Sequence, residues 1–353
     1  MNDMNDELNN TLDRICADHA DKSVFLQSEQ GVWPAALWDA LNQAGVPQAC
    51  CPEDQGGAGL SFVEAMVALK RSAYHGIPVP LAETMMAHRL LSAAGLAIPA
   101  GVLTVGGVHP QDDLRIEGHG AKAHVSGRLH RVAWADDAQH AVFAASCEGS
   151  GCVVLVDQAS LKASIENTTH NLAGEPRSQL HLDQVPVQAM ATLSDATERL
   201  RLEGALLRSV QMAGALQRAL DHSIQYANER VQFGRPIGKF QAIQHMLAIL
   251  AGHVAASSAA ADAAVGASEH HAHPLLTAIA KARIGEAASK GTEIAHQVHG
   301  AMGFTREHSL HHVTRRLWAW RDEFGNESHW QTQLGRLVVR QGGDQLWSLL
   351  TAL

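Results

Sequence analysis

Over about the first 95 residues, apolar side chains recur with the period of an α-helix. The apolar runs cover residues 8–15, 33–44, 62–73 and 82–94. Glycine and proline interrupt this pattern at residues 52–59 and 76–80. Ser61 stands at the N-cap position of the third run, and Glu64 follows it at capping-box spacing. We therefore predict several helices joined by sharp turns.

From about residue 98 the period of the apolar positions shortens to two, which is typical of β-strands. Short alternating or apolar runs cover residues 102–105, 114–117, 123–132, 140–144, 152–156 and 179–187. Gly, Asp and Asn separate these runs. The pattern predicts an antiparallel sheet or a small barrel.

Near Asp195 the helical period returns and continues to the end of the sequence. The helical runs cover residues 198–228, 241–268, 276–299, 308–320 and 330–341. The first three are long enough to pack together as a bundle. The predicted fold class is α+β, mainly α, with three domains. They are an N-terminal helical domain of residues 1–96, a middle barrel-like β domain of residues 97–192 and a C-terminal helical bundle of residues 193–353.

Composition narrows the class of protein. A chain of 353 residues is long enough for two or three domains with a substantial core. The formal net charge is -9, and Lys and Arg form no run. We therefore expect neither nucleic acid nor an anionic membrane surface as a partner.

The cysteines and the lengths of the apolar segments indicate the cellular compartment. Five cysteines, of which Cys50 and Cys51 are adjacent, make a poor disulfide framework and favour a reducing environment. The first ten residues do not combine basic side chains with an apolar run, so we expect no secretion signal. We also expect no apolar window long enough to span a membrane. These features predict a cytoplasmic protein.

Two stretches carry candidate chemistry, and each closes a long helical run. Residues 229–238 contain Arg230, Gln232 and Phe233 beside two glycines, and residues 297–305 begin with Gln297. An arginine, planar amide side chains, an aromatic ring and flexible glycine turns together suit an anionic, aromatic cofactor. We therefore expect a cofactor contact at these helix ends.

These stretches resemble the acyl-CoA dehydrogenase family over nearly the whole chain. Residues 51–61 are similar to the "PEEYGGxGLS" loop of its N-terminal domain, and residues 230–238 match "RxQFGxPI". Residues 297–305 resemble "QxxGGxGFT", with Ala301 in place of the second glycine. The resemblance implies a helical domain, a β-barrel-like domain and a C-terminal four-helix bundle. It also implies FAD as cofactor, an acyl-CoA substrate oxidised between its α and β carbons, and an electron-transfer flavoprotein as electron acceptor.

The resemblance also assigns roles to individual residues. Arg230 would contact the FAD pyrophosphate, and Gln232 and Phe233 would lie against the cofactor. The residues expected to line its adenosine–pyrophosphate end are Gln297, Gly300 and Gly303. In the family these contacts reach across to the FAD of a neighbouring subunit.

The sequence departs from the family where the catalytic base is expected. The family's glutamate usually follows an Arg-Asp pair by about nine residues, and after Arg321 that position falls at His329 or Trp330. The family's alternative base position falls at Gly204, with Glu203 adjacent. One residue along a helix rotates the side chain by about 100°. The catalytic residue is therefore unknown, with Glu203 and Glu327 as candidates.

The β domain departs from the family as well. Members that hold the flavin ring carry a "TEPxxGSD" segment and a "WITN"-like strand, whereas this chain has residues 101–107 and 132–135 there. Shortened members without the base resemble one subunit type of the α2β2 acyl-CoA dehydrogenases that act on bulky substrates such as steroid side-chain CoA thioesters. We predict that this chain is such a subunit and that a homologous partner subunit supplies the base and the flavin-ring site.

Two other functions remain open. The chain could be a self-contained homo-oligomeric dehydrogenase that uses Glu203 or Glu327, or a catalytically silent scaffold for a partner. The histidine-rich segments at 270–273 and 308–312 have neither Cys nor spaced carboxylates converging on them. We therefore predict no metal site.

Overall fold

The computed structural model describes residues 2–118, 120–147 and 149–351. Its N-terminal part is helical, with α1 (Asn2–His19), α2 (Lys22–Ser28), α3 (Ala35–Gln43), α4 (Phe62–His75) and α5 (Leu81–Ala93). Ser61 caps α4. Its hydroxyl accepts the backbone N–H of Glu64, and the Glu64 carboxylate accepts the backbone N–H of Ser61. The predicted capping box is confirmed.

The middle of the described chain forms one eight-stranded sheet. Its strands are β1 (Leu103–Gly106), β2 (Arg115–Glu117), β3 (His124–Ala133), β4 (His140–Cys147), β5 (Ser150–Asp157), β6 (Ile165–His170), β7 (Pro176–Pro186) and β8 (Ala189–Thr192). A short helix, α6 (Gln158–Ala163), joins β5 to β6. The strand order is β6-β7-β3-β2-β4-β5-β8, and β1 also pairs with β4.

The sheet differs from the predicted one in two ways. Strands β1 and β2 both run parallel to β4, so the sheet is mixed and the expectation of a purely antiparallel sheet was wrong. The sequence patterns also missed β6 and β8, which lie at the two ends of the strand order. Edge strands of this kind have few buried side chains, so they lack the apolar alternation that marks a strand in sequence.

The C-terminal part of the described chain is helical again. It contains α7 (Ala196–Glu229), α8 (Gln241–Gly266), α9 (Pro274–His299), α10 (Leu310–Asp322), α11 (Glu327–Gln341) and α12 (Leu346–Thr351). A hairpin of β9 (Val231–Gln232) and β10 (Arg235–Pro236) joins α7 to α8. Every residue from 202 to 216 is buried, because α7 packs against α4, α5, α8, α9 and α10. Helix α7 is therefore the centre of the molecule.

Helix α8 contradicts the expectation that no apolar window reaches the length of a membrane span. By length and composition alone, Gln241–Gly266 could cross a membrane, and only 33% of its most apolar stretch is buried in the chain. Its buried side packs against α9 and α7. The opposite face exposes small and apolar residues, including Ile249. This helix therefore carries an apolar surface that the chain itself leaves uncovered.

A close helix contact joins the N-terminal helices to the bundle. Gly214 on α7 faces the backbone of Lys70 on α4, and a Cβ atom at Gly214 would overlap the Lys70 carbonyl oxygen. Only glycine permits this approach, because the atom in the way is backbone and cannot rotate aside. The sequence pattern gives α7 as a helix but does not reveal this contact.

We predict that Gly214→Ala lowers the free energy of unfolding by about 1–3 kcal/mol, because the added methyl group forces α4 and α7 apart. Gly335→Ala on α11 is the matched control, since nothing lies within 4 Å of a Cβ at that position. The control should be neutral or stabilising by up to about 1 kcal/mol. Urea unfolding of the purified chain measures the free energy of unfolding of both variants. Equal changes in the two variants would contradict a close contact between α4 and α7 at Gly214.

Candidate functional site

The structure brings the two candidate cofactor stretches to one end of the helical bundle. The first follows the last turn of α7, and the second closes α9. Tyr226 on α7 stacks on His299 on α9 with ring centroids 4.6 Å apart. His308 packs edge-on against both rings. This aromatic contact holds the two helix ends side by side.

The first stretch presents its side chains at the tip of the β9–β10 hairpin. Phe233 and Gly234 form the turn, with φ of 52° and 77°. Left-handed backbone is unfavourable for a phenylalanine, and the side chain is nevertheless 93% exposed. Arg230 and Gln232 are exposed beside it. The Phe233 ring meets the ring of Phe240 edge-on, with centroids 6.2 Å apart, and most of its surface remains open to contact from outside the chain.

In the second stretch, residues 297–305, some residues lie on the surface and others are buried. Gln297 is exposed, and Gly300 ends α9 with φ 58° and ψ -141°, a conformation that favours glycine. Gly303 is buried, and a Cβ there would lie 3.0 Å from both His296 and His299. Gly303 therefore allows close packing under the surface, while Gln297 and Gly300 lie on it.

We call this end of the bundle the motif surface, defined by Arg230, Gln232, Phe233, Gln297, Gly300 and Phe304. Phe304 is 71% exposed and adds a second aromatic ring to it. Beneath the surface, the Nε2 atom of His299 is buried without a hydrogen-bond partner. The surface thus offers a guanidinium, two amides and two rings to a molecule outside the chain.

A second candidate site is a cleft of about 430 Å³ between the sheet and the bundle. Its walls come from the end of β1, from β3, from α7 and from the turn between α10 and α11. Gly106, Gly107, Val132 and Ala133 line it. These residues belong to the segments 101–107 and 132–135, where the resemblance would have placed a flavin cradle.

Six charged side chains of alternating sign cross the floor of this cleft and continue into the interior. In order they are Glu83, Arg208, Glu323, Arg177, Glu175 and Arg316, and we call them the ion chain. Arg208 pairs with Glu83 and, at 2.7 Å through Nε, with Glu323. Arg177 holds the other oxygen of Glu323 and, at 3.1 Å, Glu175.

The charges in the ion chain balance, which makes their burial tolerable. Burial alone would raise the pKa of Glu323, but the guanidinium groups of Arg177 and Arg208 outweigh it and hold that pKa at about 2. A carboxylate with so low a pKa is a weak proton acceptor at neutral pH. Glu323 lines the cleft, and its electrostatics suit structure rather than catalysis.

The turn between α10 and α11 closes the position where the family's alternative base falls. The ring of Phe324 packs directly on Gly204, and a Cβ at Gly204 would overlap that ring. A side chain at position 204 would fit only if the Phe324 ring moved. The turn itself is held by Lys281, whose ammonium donates to the carbonyl oxygens of Arg321 and Gly325, each at 2.7 Å.

The two glutamates proposed as candidate bases lie outside the lining of the cleft. Glu203 is 3% exposed and accepts two hydrogen bonds from Arg89, at 2.8 and 2.9 Å, and one from the backbone N–H of Ala272. Glu327 pairs with Arg321, and their hydrogen bond lowers its pKa. Both carboxylates are engaged in ion pairs that tie helices together.

The place that the resemblance gave to the usual base also lacks a carboxylate in three dimensions. His329 lines the cleft, and its Nε2 accepts a hydrogen bond from Arg201 at 2.9 Å. Trp330 is buried and donates its indole N–H to the carbonyls of Phe324 and Gly325. These contacts fix the turn that forms one wall of the cleft.

Sequence patterns did not identify the ion chain. Its members lie between residues 83 and 323, so no local spacing connects them. One signal was present, because Glu83 and Arg208 are charged residues among the mainly apolar positions of two helical runs. A charge on a buried helix face requires a partner of opposite sign, although sequence alone does not say which one.

Comparison with known proteins gives matches along most of the chain. Residues 2–98 match the family model "Acyl-CoA dehydrogenase, N-terminal domain", and residues 195–327 match "Acyl-CoA dehydrogenase, C-terminal domain". The chain is 31% identical to Acyl-CoA dehydrogenase IpdE2 of Mycolicibacterium smegmatis over 290 residues. That alignment covers 81% of this chain and 82% of that protein.

Solved structures share the fold over nearly the full length. The Tcur3481-Tcur3483 steroid ACAD variant superposes with a TM-score of 0.84 at 24% identity, covering 96% of this chain and 99% of that one. An acyl-CoA dehydrogenase from Bacillus anthracis complexed with FAD superposes with a TM-score of 0.81 at 17% identity. It covers 96% of this chain and 67% of that one.

The ion chain leads to a stability prediction. Glu323→Gln removes the charge that two buried guanidinium groups share, and we expect the free energy of unfolding to fall by about 3–5 kcal/mol. Glu293→Gln is the matched control, because its ion pair with Lys290 is exposed and should be worth less than about 1 kcal/mol. Similar small losses in urea unfolding would show that the ion chain does not stabilise the fold.

The buried ammonium of Lys281 leads to a pH prediction. Burial lowers its pKa to about 7, so between that pH and its ordinary pKa near 10.5 the unfolded chain binds a proton that the folded chain does not. Its contribution therefore makes the free energy of unfolding rise with pH above about 7. Lys281→Met should remove this part of the rise, as urea unfolding from pH 6 to 9.5 would measure. If the free energy of unfolding of Lys281→Met has the same pH dependence as that of the wild type, Lys281 is not the source of this rise.

Proposed function

From the premise that this chain belongs to the acyl-CoA dehydrogenase family, we propose that it is one subunit of a heteromeric member that shares its FAD across a subunit interface. Members of the family are FAD-dependent oxidoreductases that act on CH–CH bonds. In this proposal the motif surface contacts the FAD held by a homologous partner subunit. The partner supplies the flavin-ring site and the catalytic base, and the assembly is an α2β2 tetramer.

The observation that carries the proposal is the contrast between the two candidate sites. The motif surface has exposed donors and rings, whereas the cleft has a floor of charges that are already paired. None of the residues that line the cleft in the described chain carries a hydroxyl group. Its volume of about 430 Å³ is in the lower part of the usual range for a pocket that holds one small ligand.

The chemistry of the motif surface fits the dinucleotide part of FAD. A guanidinium presents a planar fork of N–H donors that matches a phosphate, which is the role proposed for Arg230. Exposed rings at Phe233 and Phe304 offer apolar faces to a cofactor that spans the interface. When bound, FAD supplies the two-electron acceptor for the dehydrogenation. The residues of this chain hold and orient its far end.

The uncovered face of α8 supports assembly with a second subunit. This helix is apolar enough to resemble a membrane span, yet most of its apolar stretch is not buried within the chain. The helix begins directly after the hairpin that carries Phe233. A partner that covers α8 therefore lies next to the motif surface, as shared cofactor binding requires.

The substrate class and the remaining partners complete the proposal. We infer a bulky acyl-CoA, of which a steroid side-chain CoA thioester is one example, because the fold matches a steroid enzyme along its full length. An electron-transfer flavoprotein is the proposed electron acceptor. The proposed location is the cytoplasm, in keeping with five unpaired thiols among the described residues.

The two alternative functions fit the structure less well. A self-contained enzyme that uses Glu203 or Glu327 would need either carboxylate to leave an ion pair and reach the cleft. A silent scaffold would use the exposed ring of Phe233 to contact its partner, but it would have no need for the exposed guanidinium of Arg230 and amide of Gln297. Neither alternative explains both sites.

The decisive test of the proposal is Arg230→Ala in the complex purified with the product of a neighbouring dehydrogenase gene. Losing charged hydrogen bonds worth about 1.5–3 kcal/mol should weaken FAD binding by roughly tenfold to a hundredfold. Dehydrogenase activity should fall with FAD content, while size-exclusion chromatography should show an intact assembly. FAD absorbance per chain and turnover measure the effect.

The control variant is Arg340→Ala, which removes an exposed arginine near the end of α11 and should change neither FAD content nor assembly. If the Arg230→Ala complex keeps its FAD and activity, the chain is a scaffold. If the chain purified alone holds a full complement of FAD and turns over substrate, it is a self-contained enzyme. Either result would overturn the proposal.

A further inference from the structure

Three side chains that the proposed function leaves unused meet on the sheet side of the cleft. They are His109 and Asp112, in the loop after β1, and His130, in β3, and we call them the His109 cluster. One nitrogen or oxygen atom from each residue lies within 4.8 Å of the atoms from the other two. Two imidazoles and a carboxylate therefore converge where the cleft is open.

Backbone hydrogen bonds fix the positions of these residues. One oxygen of Asp112 accepts the backbone N–H of His109 at 2.9 Å, and the other accepts the backbone N–H of His130 at 2.8 Å. The next residue, Asp113, accepts the backbone N–H of Arg128 at 2.8 Å. The loop after β1 is thus tied to β3 on both sides of the cluster, which keeps the three side chains in place.

The backbone of β3 is distorted at His130. The pairing of β3 with β7 changes register between Leu129 and Val132, and Arg131 has a φ of 58°. Left-handed backbone of this kind is unfavourable for a residue other than glycine. Bulges of this kind redirect a side chain, and they are common next to active sites. Here the bulge places His130 in the lining of the cleft.

This donor set has the composition of a zinc site with an open coordination position. Tetrahedral Zn²⁺ with bonds of about 2.0–2.1 Å needs donor atoms roughly 3.3 Å apart. The Nδ1 atom of His130 already lies 3.2 Å from an oxygen of Asp112. Bringing the third donor to that spacing requires a shift of at most about 1.5 Å, which a side-chain rotation supplies.

We propose that His109, Asp112 and His130 bind one divalent transition-metal ion of the Zn²⁺ class, with the remaining coordination position facing the cleft. Nδ1 of His130 lies beside the Asp112 carboxylate, and the metal ion would bind between these two atoms, with the imidazole nitrogen as an unprotonated ligand. The site belongs to this chain alone and requires neither FAD nor a partner subunit.

A second group with the same spacing, Glu29, His311 and His312, is a poorer candidate. Its carboxylate already pairs with the guanidinium of Arg315 at 2.5 Å, and His312 is buried against the ring of Phe25. Arg131, next to His130 in sequence, is exposed, so water screens its charge. The second group serves as the internal control.

The test is a calorimetric titration of the full chain with Zn²⁺ alone, after removal of any affinity tag. His109→Gln and His130→Gln each remove one donor and keep Asp112 with its backbone contacts. We expect one Zn²⁺ per chain in the wild type, at least tenfold weaker binding in both variants, and unchanged binding in His311→Gln. Thermal unfolding with EDTA checks that the metal-free variants fold like the wild type.

Two results would overturn the proposal. One is an unchanged Zn²⁺ titration in His109→Gln and His130→Gln, and the other is a loss of binding in His311→Gln alone. A second measurement uses only the wild type, with Co²⁺ in place of Zn²⁺. Intense visible absorption bands, typical of tetrahedral Co²⁺, would support the site. Only the weak bands of octahedral Co²⁺ would contradict it. Because neither titration contains FAD, the outcome does not depend on the role proposed for the motif surface.

Discussion

Buried charge is the constraint on which the rest of this structure depends. A buried glutamate or arginine costs several kcal/mol in lost hydration unless an opposite charge repays it. The ion chain draws its members from α5, from the loop and strand at β7, from α7, from α10 and from the turn that follows it. Apart from the pair of Glu175 with Arg177, every ion pair in the ion chain joins different elements. The ion chain is therefore complete only where the sheet packs on the bundle.

The same constraint shapes both candidate sites. Glu323 and Arg208 fill the floor of the cleft with charges that cannot be withdrawn without leaving a partner unpaired. The turn held by Lys281 presses Phe324 onto Gly204 and closes a position where a base could stand. At the end of the bundle, by contrast, Phe233 and Phe304 remain exposed. The charges at the cleft are already paired, whereas the motif surface leaves donors and rings open to another molecule.

Local patterns in the sequence predicted the parts of the structure that local physics determines. The period of apolar residues located α7, α8 and α9, and the spacing of Ser61 and Glu64 gave the start of α4. Tertiary context determined the rest. Edge strands β6 and β8 have little apolar pattern, and the parallel pairing of β1 with β4 depends on the path of the chain. The ion chain joins residues as far apart as Glu83 and Glu323, and His130 joins His109 and Asp112 only through the pairing of β3 with the loop after β1, so local spacing does not find either group.

In the proposed assembly this chain contributes to an FAD site without containing a complete one. Native mass spectrometry of the complex counts bound FAD against subunits. We expect two FAD molecules per α2β2 tetramer and none retained by this chain when it is purified alone. Four FAD molecules per tetramer, or one FAD on each isolated chain, would contradict it.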